Sequence, residues 1–261
     1  MFRRIDQGDM RVFLAKTLWT PDSFEGKLTL DAGCGFGRYT YFAAQFGAEV
    51  VGLDLSAAIE SARINTAHLP NVHLVQGDLL DLPFREATFD RIFSIGVLHH
   101  TPEPSVAFAS ASHVLRSDGE FSIWVYDKAD SGREAINSFV RSITKCLPHP
   151  ILWKICAFPA KVSQNRYLSG IRMVITSYVI IGSSRVGNFD WYSPQYQHHL
   201  TEREVLSWFN SNGFEKVVLI SPPARGFGSS FGAKGLKAGT GRHGFDVERA
   251  ATSFDKVTDS D

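Results

Sequence analysis

Cysteine, net charge and long apolar runs are all scarce in this chain. Only Cys34, Cys146 and Cys156 are cysteine among 261 residues. They are scattered and odd in number, so no disulfide framework or zinc pattern is expected, and a reducing, cytoplasmic compartment is. Lys+Arg and Asp+Glu both number 27, and the zero net charge gives no reason to expect a nucleic-acid partner. No apolar run reaches about eighteen residues, so no transmembrane span is expected. The start Met1-Phe2-Arg3-Arg4-Ile5-Asp6 lacks the apolar stretch of a signal peptide. No internal repeat is visible. Phenylalanine (20) and glycine (22) are plentiful, which suits a large apolar core with several tight turns. The length allows one core, with or without an inserted cap.

The densest signal is Leu30-Asp31-Ala32-Gly33-Cys34-Gly35-Phe36-Gly37, which overlaps the apolar run Leu28-Thr29-Leu30. A second apolar run, Val50-Val51-Gly52-Leu53, ends on Asp54. Glycines this closely spaced let a backbone turn tightly and approach a ligand unobstructed. A carboxylate ending the next strand suits two vicinal ribose hydroxyls. The dinucleotide fingerprint G-x-G-x-x-G would place its third glycine where this chain has Arg38. The spacing here is G-x-G-x-G, with Asp31 just ahead. Pyrophosphate prefers amides and helix N-termini without a nearby anion, whereas an acid suits a cationic amino group. S-adenosylmethionine carries that group with a ribose, an adenine and no phosphate. The residues therefore favour it over a nicotinamide dinucleotide.

Periodicity predicts helices over 10–19, 38–46, 56–68 and 103–115, and strands over 27–32, 48–53, 72–76, 89–95 and 120–125. Ser56 can cap the third helix, and Ser117-Asp118-Gly119 reads as a turn. The alternation implies a Rossmann-like, doubly wound α/β fold with a mostly parallel sheet. Ligands of such sheets sit beyond the carboxyl ends of the strands, where the glycine turn, Asp54, Asp78 and the stretch Gly96 to His100 all fall. From 128 to 189 the alternation stops. Helix-like stretches near 133–146, 152–162 and 168–181 read as a helical insertion covering the strand ends. Thr201-x-x-Glu204 is a capping box opening a helix to Asn210, with Asn212-Gly213 as its stop. Residues 214–221 form a late strand with 226–236 as antiparallel partner. The expected organisation is a lead-in (1–26), a cofactor-binding core (27–127), a helical substrate cap (128–189), completion of the core (190–237) and a disordered tail (238–261). About 26 residues precede the first strand, so an upstream segment in the natural gene would alter how the pocket closes.

Four ordered segments carry a resemblance. They are Leu30 to Gly37, Gly52-Leu53-Asp54-Leu55-Ser56, Gln76-Gly77-Asp78-Leu79 with Leu82-Pro83-Phe84, and Phe89-Asp90 through Leu98-His99-His100. Over roughly 17–126, and more weakly over 190–221, the chain resembles the class I S-adenosylmethionine-dependent methyltransferases. Within them it is most similar to the type 11 branch typified by ubiquinone/menaquinone methyltransferases. The resemblance implies a seven-stranded sheet whose seventh strand is antiparallel. It also implies roles. Asp31 and the turn Gly33, Cys34, Gly35 and Gly37 approach the methionine part of the cofactor. Asp54 accepts from both ribose hydroxyls, and Leu55 packs on the adenine. Asp78 and the amide of Leu79 read the adenine edge. Ser94, Ile95 and His99 lie beside the methionine end.

Each residue also has a plainer reading. Cys34 is small at a crowded turn, so only its backbone is expected to matter. His99-His100 has no carboxylate or cysteine at ligand spacing, so no metal is expected. His99 reads as structural or cofactor-positioning, and His100 as a candidate general base. The segment Asp190-Trp191-Tyr192-Ser193-Pro194 makes Tyr192 a candidate beside the methyl acceptor, with packing as the alternative. The insertion's Ile151, Trp153, Ile155 and Phe158 read as core, or as the lining of a greasy substrate channel, rather than as a membrane surface. The function expected is O- or C-methylation of a lipid-, glycan- or phenol-like small molecule, the acceptor possessing apolar character. A non-catalytic cofactor-binding scaffold is the first rival and a nicotinamide-dependent oxidoreductase the second. No Tyr-x-x-x-Lys pair follows the fourth strand, which counts against the latter. The absence of an Asn/Asp-Pro-Pro-Tyr/Phe motif counts against a nucleic-acid methyltransferase. Oligomeric state is not legible.

Overall fold

The computed structural model describes residues 5, 7–128, 131–157, 189, 191–221, 230–239 and 244–251. The helix expected at 168–181, the end of the one at 152–162, Phe158, Asp190 and the start of the strand at 226–236 lie outside the described residues. The chain divides into two units. The first takes the described residues up to 127 and from 200 onward, and the second those from 128 to 199. Residues 191–199 therefore belong with the second unit, where the sequence had suggested completion of the core.

The first unit is built on β1 (Leu28–Ala32), β2 (Glu49–Asp54), β3 (Val72–Gln76), β4 (Phe89–Ile95), β5 (Leu115–Tyr126), β6 (Phe214–Ser221), β7 (Ser230–Lys237) and β8 (Val247–Ala251). They form one sheet in the order β3-β2-β1-β4-β5-β7-β6-β8. Strands β1 to β5 are parallel, and β7 runs antiparallel between β5 and β6. The sheet has eight strands and not the expected seven, because β8 adds in parallel to β6. The tail expected to be disordered thus holds a strand. Its sequence, Val-Glu-Arg-Ala-Ala, shows no apolar alternation because an edge strand exposed on both faces needs none. Arg249 on β8 pairs with Glu202 at 2.8 Å.

β5 is longer than expected. Leu115 pairs with Phe89, yet Glu120 pairs with Arg91, so the residues 116–119 stand opposite Asp90 alone. The expected turn is a bulge in one strand, with Asp118 at φ 59°. Asp90 anchors it: its Oδ2 accepts from the amide of Leu28 at 2.7 Å, and its other oxygen meets Arg116.

Two apolar layers cover the sheet. On one face, α1 (Gln7–Thr17) and α2 (Arg38–Gln45) bury Phe13, Tyr39 and Phe42 with Trp19, Phe24, Val50 and Phe93. α3 (Ala58–Thr66) packs Ile59 and Ala62 on Cys34 and Leu74. On the other face, α4 (Pro104–Val114) and a late helix, Glu202–Ser211, pack Phe108, Val205 and Phe209 on Leu30, Ile92, Phe121 and Phe214. The late helix opens with the expected capping box: the Glu204 amide donates to Thr201 Oγ1 at 3.2 Å and the Thr201 amide to Glu204 Oε2 at 2.7 Å. In the second unit, α5 (Ser131–Thr144) and α6 (His149–Ile155) are described. No helix among the described residues is long and apolar enough to cross a membrane.

Phe108 is fully buried, 4.9 Å from Phe121, 4.8 Å from Phe209 and 5.8 Å from Phe214 between ring centroids. Phe108→Ala is expected to cost ~3–5 kcal/mol through the cavity it leaves. Urea unfolding should show a lower midpoint with an unchanged slope.

Candidate functional site

The parallel register brings the carboxyl ends of the strands level: Ala32 pairs with Leu53, Asp54 with Gln76, and Ile95 with Trp124. The glycine turn leaves β1 at this edge and is tied to β2 by three amides. Those of Gly33 and Cys34 both donate to the Leu53 carbonyl, at 2.8 and 2.9 Å. That of Gly35 donates to Asp54 Oδ2 at 2.7 Å. Gly33 sits at φ 94°, and a Cβ there would come within 2.3 Å of Val97. Only glycine fits, for both reasons. Gly35, at φ 53°, faces the opposite situation: a Cβ there would meet nothing within 4 Å. The turn is thus closed against Val97 on one side and open on the other.

Asp54 Oδ1 accepts from the amide and hydroxyl of Ser56, at 2.8 and 2.6 Å. Both carboxylate oxygens are therefore oriented: Oδ1 already accepts two hydrogen bonds and Oδ2 one, which leaves Oδ2 a further acceptor site. Leu55 follows with 65% of its surface exposed, a large apolar side chain in water beside the acid. Gln76 Nε2 donates to the Leu55 carbonyl at 3.0 Å, tying the end of β3 to that of β2. Asp78 Oδ1 accepts from the Leu80 amide at 2.9 Å, and Leu79 is buried.

Asp31 lies beneath the turn, buried, with Oδ2 accepting from Thr40 Oγ1 at 2.6 Å. Burial pushes its carboxyl up to about 7; Thr40 opposes the shift and the negative charge of Asp54 adds to it. Burial, with Asp31 and Asp54 nearby, raises the Cys34 thiol as well. It stays protonated and packs on Ile59 and Ala62, in keeping with a residue whose amide matters more than its sulfur.

Ser94 is fully buried, its hydroxyl donating to the Ala32 carbonyl at 2.8 Å, so it ties β4 to β1. Ile95 packs into the aromatic layer under α1 and α2. His99 is fully buried, its ring centroid 3.9 Å from Tyr126 and 4.2 Å from His100. His100 is half-buried and meets the Tyr126 ring edge-on at 5.5 Å. Tyr192 belongs to the second unit and is buried, with Thr144 Oγ1 donating to its carbonyl at 3.2 Å. Among the described residues, no three His, Cys, Asp or Glu side chains gather to hold a metal.

Of four further residues at the site, the sequence singled out only Ser56, as a helix cap. Thr40 and Ser56 hold the two acids, and Tyr126 completes the histidine cluster. Lys16 on α1 lies 5.0 Å over the Trp124 ring, and burial, with repulsion from Arg38, lowers its ammonium to about 7. Ser56, two residues past Asp54, carried a local signal; Lys16 carried none, being one polar residue on an ordinary helix.

These features predict a pH dependence of folding. Asp31 titrates near 7 when folded and near 3.8 when unfolded, so the folded state holds the extra proton in between. Its contribution is fully present below about 3.8 and is lost as pH rises toward 7. Asp31→Asn is expected to flatten that decline, gaining on the native chain as pH rises, by urea midpoints measured across the range.

Residues 30–123 match the family model described as "Methyltransferase domain". An uncharacterized methyltransferase of Synechocystis sp. is 42% identical over 101 residues, covering 38% of this chain and 46% of that protein. The demethylmenaquinone methyltransferase of Staphylococcus haemolyticus is 37% identical over 99 residues, covering 36% and 41%. The chain thus spans less than half the length of these relatives. Among solved structures, a Burkholderia thailandensis 1,6-didemethyltoxoflavin-N1-methyltransferase with bound 1,6-didemethyltoxoflavin and S-adenosylhomocysteine matches with a TM-score of 0.53. The match covers 90% of this chain and 80% of that one at 18% identity, a likeness of fold.

Proposed function

We propose, from the match of residues 30–123 to the methyltransferase-domain family, that the chain is a class I, type 11 S-adenosylmethionine-dependent methyltransferase that methylates a small-molecule acceptor. The observation that carries this is the double anchoring of Asp54, by Gly35 and Ser56, beside a turn that is open at Gly35. The residues suit that cofactor. Asp54 would accept from its ribose hydroxyls, with Leu55 against the adenine. Asp78 and the Leu79 amide would take the adenine edge. Asp31 would meet the ammonium of the methionine part: a buried carboxyl without a strong cationic partner is made ready for a cation. His99 is assigned to hold the wall of the site through Tyr126, and Ser94 and Ile95 to fix the position of β4.

When bound, S-adenosylmethionine supplies an electrophilic methyl carbon on a sulfonium, leaving a neutral thioether once the methyl is transferred. The chain's part is orientation, which can remove ~7–11 kcal/mol of barrier when reacting atoms are aligned. A hydroxyl acceptor also loses a proton, and His100, half-buried beyond β4, is assigned to take it. Such a base is worth roughly 10²–10⁴-fold. Tyr192 retains its candidacy on sequence alone. The acceptor class we favour remains lipid-, glycan- or phenol-like, methylated at oxygen or carbon. The cytoplasmic reading rests on the scarcity of cysteine in the sequence.

Calorimetry with S-adenosylhomocysteine tests the cofactor roles. Asp54→Ala should weaken binding roughly 10- to 150-fold, the worth of a charged hydrogen-bonding group. Affinity should also decline as pH falls below about 7, with a proton released on binding, and Asp31→Asn should remove that dependence. A folded chain that ignores both S-adenosylmethionine and its demethylated product refutes the reading. Binding without methyl transfer to any acceptor extract would leave a non-catalytic scaffold.

A further inference from the structure

α5 and α6 of the second unit are turned partly inside out. On α5, Arg141 is buried, and its guanidinium donates to the carbonyls of Trp191 and, at 2.7 Å, Pro194. Phe139 and Ile143 stand two residues to either side of it, about 200° around the helix. They are 68% and 53% exposed. On α6, Leu152 and Cys156 are buried, while Ile151 and Ile155 are 49% and 48% exposed. Each helix therefore presents an apolar pair at i and i+4 to water, the spacing that makes a continuous stripe. Lys145 and Lys154, both exposed, accompany the two pairs.

Charge sets this unit apart. Residues 128–199 contain nine Lys and Arg against three Asp and Glu, and no acid occurs between Glu134 and Asp190. The remainder holds eighteen against twenty-four, so a chain of zero net charge is divided into a cationic part and an anionic part. Exposed apolar side chains on helices, among lysines without acids, fit a surface that is negative at its headgroups and apolar beneath. Nucleic acid would satisfy the lysines and leave the three isoleucines in water. A second copy would set two cationic faces against each other.

We propose that the exposed faces of α5 and α6 dock this protein on an anionic lipid bilayer, with Phe139, Ile143, Ile151 and Ile155 entering the interface and Lys145 and Lys154 meeting its headgroups. This does not rest on the methyl-transfer reading.

Co-sedimentation of the full chain with phosphatidylcholine vesicles, with and without phosphatidylglycerol, tests it. Binding is expected only with phosphatidylglycerol present, and is expected to weaken with salt. Phe139→Ser with Ile143→Ser, and separately Lys145→Glu with Lys154→Glu, should each lower the vesicle partition coefficient about tenfold or more. Ile64→Ser, which removes an equally exposed isoleucine from α3 of the other unit, should leave it unchanged. Thermal unfolding and S-adenosylhomocysteine calorimetry on the same samples separate misfolding, and failure of the cofactor reading, from loss of docking. Absence of binding to anionic vesicles overturns the proposal. So does equal loss in the Ile64 variant, or a nucleic-acid complex or self-association that the paired variants abolish while vesicle binding stays absent.

Discussion

The hydrogen bond from the Gly35 amide to Asp54 Oδ2 joins the glycine turn after β1 to the acid that ends β2. Without it, the glycine turn is a flexible connection and Asp54 one more acid at a strand end. With it, and with two further amides on the Leu53 carbonyl, the turn lies flat against the end of β2. That geometry has a steric condition. Val97 occupies the volume a side chain on Gly33 would need, so the loop after β4 closes the back of the turn. The front, at Gly35, remains accessible. A site of this kind is made by what the backbone does; side chains orient it.

The same arrangement places two carboxylates under unequal conditions. Asp54 is partly exposed and receives three donors. Asp31 is buried, has Thr40 as its hydroxyl donor, and is driven toward its neutral form. Unequal environments suit two acids to different tasks, in keeping with the roles proposed for Asp54 toward ribose hydroxyls and for Asp31 toward a cation. Cys34, between them in sequence, is kept inert by the same burial and the same negative neighbours. On α1, Lys16 is lowered by burial in turn, so burial shifts ionisable groups on more than one element here.

Rigid surroundings make this possible. Arg91 illustrates the scaffold: it pairs with Glu120 at 2.8 Å, donates to the Ser23 carbonyl at 2.5 Å and lies 4.8 Å over the Trp19 ring. One residue thus binds β4, β5 and the segment leading into β1. Asp90 does the same for β1 and the bulge of β5. These ties lie away from the carboxyl edge, where Ser94, Gln76 and the glycine turn supply their own.

The amino-acid sequence by itself determined the alternation of β1 to β4 with their helices, because apolar periodicity is a local property. It also determined the positions of the glycine turn, Asp54 and Asp78, since glycines and acids at strand ends follow from backbone conformation. The capping box at Thr201 was legible for the same reason. Tertiary structure decided the rest. β8 is held by pairing with β6 and bears no apolar pattern of its own. β5 runs through Ser117-Asp118-Gly119 because Asp90 and Arg116 accommodate a bulge. Tyr126 meets His99 only when β5 lies beside β4. Whether Arg141 or Phe139 faces inward on α5 depends on the carbonyls of Trp191 and Pro194, some fifty residues away. Contacts between distant segments, with the burial and charge states they impose, have no local signature in a chain.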